Sequence, residues 1–227
     1  MVESEPEVQF CFKVILVGNS NVGKTSAFEQ FCNSKFNDNQ LPSLVPKFYE
    51  KSIPIPNSFE NIDLMLWDTP GRESLHLLSE DTYQNANICA VMYSFTDRKS
   101  FEAIPEWIEK VKQINKNVQI ILVENKIDLL ENGAVEFEEA QRMANQLEAP
   151  LFRISVKENI NLKPLFDFLA TVLNHKFLSS MTSLPRGADS FFITTPDNPK
   201  VPPSAPVTER PPTTTENKEQ SGYCNII

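Results

Sequence analysis

The chain has 227 residues, 41% of them hydrophobic, and carries 30 acidic against 21 basic side chains for a formal net charge of −9. That apolar content is enough for a core and excludes a wholly disordered chain, and the length suits one domain with an appendage. The acidity argues against a nucleic-acid binder, whose affinity rests on Lys and Arg neutralising phosphates, but not against a protein holding one nucleotide in a local positive site.

Residues 1–9 are acidic and lack an apolar stretch, so no secretory signal is expected. Phe10 to Val17 (FCFKVILV) is an apolar run ending at Gly18, the pattern of a strand buried on both faces. Thr25 to Asn33 reads as the helix that follows. Phe48 to Ile55 and Ile62 to Trp67 read as strands close enough to form a hairpin, and Ile88 to Phe95 as another buried strand. From Ser100 to Ile114, Phe101, Ile104, Ile108 and Val111 recur at helical spacing. Val118 to Val123 is a strand, Phe137 to Leu147 a helix whose acidic first turn suits the helix dipole, Leu151 to Val156 a strand, and Leu162 to Phe177 a last amphipathic helix. Six strands alternating with helices imply an α/β fold with a mostly parallel six-stranded sheet and helices on both faces.

Periodicity then ends. The sequence has 17 prolines but 6 glycines, and eight of the prolines fall between Leu184 and Pro212. Residues 179–221 therefore read as a disordered linker between a folded domain, 10–178, and a terminal motif, 222–227, with 1–9 as a short acidic extension. Cys11, Cys32, Cys89 and Cys224 show no paired spacing and there are two histidines, so no zinc site is expected. Cys11 and Cys89 are expected as free thiols acting as small hydrophobes in their strands. No run approaches the ~18 apolar residues that cross a bilayer, so a soluble protein of a reducing compartment is expected.

Chemistry first appears at Gly18-Asn19-Ser20-Asn21-Val22-Gly23-Lys24-Thr25, which fits GxxxxGK[ST] between a strand and a helix. Glycines let successive N–H groups turn inward onto phosphate, the helix N-terminus adds positive potential, Lys24 supplies a point charge, and Thr25 offers a hydroxyl to Mg²⁺. Asp68-Thr69-Pro70-Gly71 closes the next strand but one. Asp, Pro and Gly also suit an ordinary turn. After a P-loop, Asp68 becomes a candidate for Mg²⁺ and the Gly71 N–H for a γ-phosphate. Asn125-Lys126-Ile127-Asp128 follows VQIILV, and Asp128 suits the N1–H and N2–H₂ donors of guanine, which adenine lacks.

GNSNVGKTS, WDTPGRES and ENKIDL together resemble the Ras superfamily of small GTPases, and their spacing is most similar to the Rab branch. The resemblance implies a P-loop NTPase small G domain that binds GTP or GDP with Mg²⁺ and hydrolyses GTP. It places nucleotide contacts at Gly18, Asn19, Ser20, Asn21, Val22, Gly23, Lys24, Thr25 and Ser26, at Asp68 and Gly71, and at Asn125, Lys126 and Asp128. Ser155-Val156-Lys157 is similar to the family's Ser-Ala-Lys loop beside guanine. Phe36 falls where the family sets an aromatic against the base, and Ser43 where the first switch has a threonine for Mg²⁺, giving Thr25, Ser43 and Asp68 as metal ligands. The absence of a long insertion between Asp128 and Ser155 disfavours the Rho branch, and Val2 disfavours Arf, which needs a myristoylated glycine.

The departures are as informative. The family expects glutamine after Gly71, to orient the attacking water in catalysis; here it is Arg72, which has no acceptor for a water's hydrogen bond. Slow hydrolysis is the expectation. Val45 stands where Rab switches usually carry glycine, with Pro42 and Pro46 beside it, and Glu124 replaces the usual small residue before NKID with no explanation in the sequence. Trp67 and Tyr83 are candidates either for effector contact or for ordinary packing.

The chain ends Cys224-Asn225-Ile226-Ile227, a C-a-a-X pattern that marks Cys224 for prenylation. Four basic residues in the tail (Arg186, Lys200, Arg210, Lys218) stand against five acidic ones, so no electrostatic help from anionic lipid is expected. The resemblance further implies a monomer working with an exchange factor, a GTPase-activating protein, effectors at the switches and a GDI-like prenyl carrier. It also implies a cytoplasmic protein, reversibly on the cytosolic face of an intracellular membrane, that regulates vesicle traffic. Two readings compete with that switch: a nucleotide-bound scaffold that scarcely hydrolyses GTP, marked by Arg72, and an ATP-using phosphotransferase, which Asp128 disfavours.

Overall fold

Strand β1 (Phe10–Val17) is apolar but for Lys13 because it is covered on both sides. Its Phe12, Val14 and Leu16 join one core with residues of α1 (Lys24–Asn33) and α5 (Leu162–Thr182), while Ile15 and Val17 join a second with α3 (Ile104–Ile114) and α4 (Phe137–Gln146). The computed structural model describes residues 10–71, 80–182 and 225–226.

Parallel partners flank β1, with β3 (Asn61–Asp68) on one side and β4 (Ile88–Ser94) on the other. Beyond β4 lie β5 (Gln119–Asn125) and β6 (Leu151–Arg153), also parallel. β2 (Lys47–Pro54) pairs antiparallel with β3, the hairpin expected from their proximity. The order is β2-β3-β1-β4-β5-β6. A two-residue strand, β7 (Asn225–Ile226), pairs with Phe10 and Cys11.

Three expectations change. The helix expected over Ser100 to Ile114 is two, α2 (Arg98–Glu102) and α3, meeting at Ala103. Pro105 is the cause, since it lacks an N–H and its ring crowds the carbonyl four residues back. The last helix runs to Thr182, past Phe177, into residues assigned to the linker. Cys32 and Cys89 are free, but Cys11 is disulfide-bonded rather than a free thiol. Residues 183–221, most of the expected linker, lie outside the described residues, as do 1–9, Arg72 and Cys224. Among the described residues, no helix is long and apolar enough to cross a membrane.

All the parallel strands direct their C-terminal ends to one edge of the sheet, where doubly wound folds bind ligands. The loops after β1, β3, β5 and β6 therefore meet there, and they carry the motifs read from the sequence.

Candidate functional site

The loop between β1 and α1 begins at Gly18, with φ +140°, where a Cβ would lie 2.0 Å from the Met92 carbonyl oxygen of β4. No side chain fits there. Lys24 opens α1 almost fully buried, and its Nζ donates to the Gly18 and Asn19 carbonyls at 2.7 and 2.8 Å. Asn19 is itself held from α3, where the buried Trp107 Nε1–H donates to Asn19 Oδ1 at 3.0 Å.

The Asp68–Gly71 turn abuts this loop. A Cβ on Gly71 would fall 1.9 Å from Ser20 Oγ and 2.6 Å from the Ser20 backbone nitrogen, so glycine permits the approach. Buried Thr69 anchors the turn by donating to the Leu16 carbonyl at 2.8 Å. Thr25, Ser43 and Asp68 converge: Thr25 Oγ1 donates to Asp68 Oδ2 at 2.5 Å, Ser43 Oγ is 2.7 Å from Thr25 Oγ1, and Ser43 Oγ donates to Asp68 Oδ2 at 3.5 Å. Burial pushes the Asp68 carboxyl above its usual range, against the pull of Thr25 and Lys24, and its Oδ1 is buried without a partner. Three oxygen donors with one carboxylate oxygen unmatched fit a hard cation such as Mg²⁺. A cavity of about 370 Å³ lies over Ser20, Gly23, Lys24, Thr25, Ser43 and Gly71.

The loops after β5 and β6 build a second cavity of about 210 Å³, lined by Phe36 and Asp38 on one side and by Asn125, Lys126, Asp128, Val156 and Lys157 on the other. Lys157 Nζ is 3.6 Å from an Asp38 oxygen, spanning the two sides. Asn125 ties the loops together: its Nδ2 donates to the Val22 carbonyl at 2.8 Å and its Oδ1 accepts from the Val156 N–H at 3.1 Å. The backbone N–H of Val156, in the loop that the resemblance sets beside guanine, is thus engaged within the protein. Ser155, fully buried, donates to Asp128 Oδ1 at 2.6 Å, orienting that carboxylate and leaving it acceptor capacity. Lys126 adopts φ +66°, and burial lowers its pKa against the opposing charges of Asp97 and Asp128. Asn21, at φ +62°, Gly23, Ser26 and Gln40 line both cavities.

Every described residue in the predicted set therefore falls in or directly behind two adjoining cavities. Arg72 and Cys224 lie outside the described residues. The effector-contact option for Tyr83 is corrected: Tyr83 is fully buried in the core beneath α3 and burial pushes its phenol pKa up. Trp67 is half-buried, packs against the exposed Phe48, and lies under the Lys13 ammonium at 4.5 Å. Sequence reading missed Thr69, Gln40 and Trp107. Thr69 sits inside a recognised motif and was within reach; Trp107 is 88 residues from Asn19, and no local signal points to it.

A Ras family model matches residues 13–175 of the chain. The Ras-related protein RabC of Dictyostelium discoideum is 35% identical over 184 residues, 78% of this chain and 94% of its own. The Ras-related protein Rab-21 of Homo sapiens is 33% identical over 158 residues, 69% of each chain. The Ras-related protein Rab-3 of Caenorhabditis elegans is 29% identical over 185 residues, covering 81% of this chain and 84% of its own.

Proposed function

The chain belongs to the Ras family of small GTPases and is most similar to Rab proteins, and from this we propose that it is a guanine-nucleotide switch regulating membrane traffic. The carrying observation is that a cavity lined by Lys24, Thr25 and Ser43, with buried Asp68 bonded behind Thr25, adjoins one with Asn125 and Asp128, with Asn21, Gly23, Ser26 and Gln40 common to both. A triphosphate and its base need such a continuous, chemically divided site.

In this reading Lys24 and the backbone N–H groups of Gly18 to Ser26 hold the phosphates, with the Gly71 N–H at the γ-phosphate. Thr25, Ser43 and Asp68 hold Mg²⁺, which neutralises phosphate charge when bound. Asp128, oriented by Ser155, accepts from guanine, while Phe36 and Lys157 flank the base. Ser43 and Gly71 lie on the two segments that respond to the γ-phosphate, and exchange factors, activating proteins and effectors act on those segments. Prenylation of Cys224, which needs its thiol reduced and outside any disulfide, and a GDI-like carrier give reversible attachment to a membrane.

Arg72 supports slow hydrolysis and a long-lived GTP state, because a guanidinium donates but does not accept. In the extreme, the protein is a GTP-loaded scaffold. The test is nucleotide competition followed by single-turnover hydrolysis. GTP is expected to outcompete ATP by at least ~100-fold, as a carboxylate left unpaired by adenine costs roughly 1–3 kcal/mol beside the other lost contacts. Arg72→Gln is expected to hydrolyse GTP faster than the parent. Equal rates remove the Arg72 argument, and preference for ATP removes the reading as a whole.

A further inference from the structure

Glu124 is fully buried near the end of β5. Strand register sets Tyr93 of β4 and Arg153 of β6 directly beside it. Neighbours in register project to the same face of a sheet, so the three side chains form a row across its C-terminal end. Both carboxylate oxygens are used: Oε1 accepts from the Tyr93 hydroxyl at 3.3 Å, and Oε2 pairs with Arg153 Nε. The Arg153 guanidinium also lies over the rings of Phe95 and Phe137, at 5.9 and 5.1 Å.

The row stands immediately behind both base loops. One residue after Glu124, Asn125 turns to the opposite face and bonds Val22 and Val156. One residue after Arg153, the Ile154 N–H donates to the Glu124 carbonyl at 2.7 Å, and Ser155, next in line, holds Asp128. Burying the Glu124 carboxylate costs several kcal/mol in desolvation, and with Arg153 still 34% exposed the pair is often no more stable than apolar packing of the same volume. Stability is therefore a poor account of Glu124. A charged pair with a shared hydroxyl donor differs from apolar packing in being directional.

We propose that Glu124 is a positioning residue for base recognition: bound to Tyr93 on one side and Arg153 on the other, it fixes the spacing of the Asn125–Asp128 and Ser155–Lys157 loops so that both meet the same guanine. This rests on the guanine-nucleotide reading above. The base-contacting group is Asp128, held by Ser155, while Asn125 and Val156 bond each other and link the two loops, and Glu124 acts through this set.

The test uses the full chain loaded with GDP or with inosine diphosphate, which lacks the 2-amino donor that Asp128 accepts. Dissociation rates of both nucleotides are measured with the melting temperature of the loaded protein. Glu124→Ala and Arg153→Ala are expected to speed GDP release by roughly tenfold, the scale on which residues supporting a ligand set act. Release of the inosine nucleotide is expected to change less, so the preference for guanine falls. The double variant is expected to be no worse than either single one, because both break one interaction. Glu124→Gln, which keeps two-sided hydrogen bonding, is expected to recover most of the preference. Should Glu124→Ala not fold, Tyr93→Phe carries the test, with a smaller fall in the same direction. Variants that melt earlier yet release the two nucleotides in the wild-type ratio overturn the positioning role alone. A parent protein without preference for GDP over ADP overturns the nucleotide reading, and this proposal with it.

Discussion

Lys24 owes its position to a side chain on a distant helix. Its Nζ bonds the Asn19 carbonyl, and the Asn19 side chain accepts from Trp107 on α3, so the loop is tied to that helix. Trp107→Phe removes one hydrogen bond, worth about 1 kcal/mol, and leaves Asn19 Oδ1 without that donor. GDP dissociation is expected to quicken about fivefold by that energy, measurable by displacement of a fluorescent nucleotide. Unchanged release would mean that Asn19 holds its place through its backbone alone. Gly71 is stricter: its missing Cβ is the space occupied by Ser20, so Gly71→Ala is expected to separate the two loops and lower GTP affinity by at least about tenfold, while GDP binding changes less. A binding titration with each nucleotide checks this. At this scale the motifs were legible, because GxxxxGK[ST], DTPG and NKID are contiguous and their chemistry is local. Trp107 and the Glu124 row were not, because their partners come from other strands and helices and no spacing along the chain announces them.

Elements are joined by side chains that helical or strand periodicity treats as exceptions. Lys13 interrupts an apolar strand, yet it is buried: its Nζ donates to the Asp81 and Gln84 carbonyls at 2.8 and 3.0 Å and covers Trp67. Burial lowers its pKa, while Asp81 opposes this. It ties β1 to the segment that leads into β4. On the other face Glu29 joins α1 to β2, accepting from Asn33 Nδ2 at 2.9 Å and from the Tyr49 hydroxyl at 2.8 Å. The Asn33 bond first and the Tyr49 bond second hold its carboxyl below the usual range. A depressed folded-state pKa gives stability that is present above the unfolded value and lost as pH falls through the folded one. Tyr49→Phe is therefore expected to cost about 0.5–1.5 kcal/mol at neutral pH, with the difference from the parent shrinking at a pH below the ordinary glutamate range. Urea unfolding at both pH values checks it, and a pH-independent difference would assign the loss to packing. Strand and helix order was readable from apolar runs. The division into α2 and α3 was signalled by Pro105, but four apolar residues at helical spacing outweighed it.

At the scale of the whole molecule, the candidate nucleotide site lies at one end of a sheet and a proline-rich stretch of sequence follows the last helix. The tail lacks a basic cluster, so in the proposed reading attachment to a membrane rests on a lipid at Cys224. Cys224→Ser is expected to move the full-length protein from the membrane pellet to the supernatant of a fractionated cell. Raising salt is expected to leave the parent in the pellet, because electrostatic attraction contributes little. A Cys224→Ser protein that stays with membranes would point to another anchor. The sequence by itself determined the family, the order of strands and helices along the chain and which loops carry the candidate phosphate, metal and guanine residues, because each motif sits at a strand end and a parallel sheet sends those ends to one edge. Tertiary structure alone decided that Tyr83 is core rather than surface, that Trp107 holds the P-loop, and that Glu124 is matched by Tyr93 and Arg153. Those outcomes depend on lateral neighbours in the sheet and on packing across it, which distance along the chain does not encode.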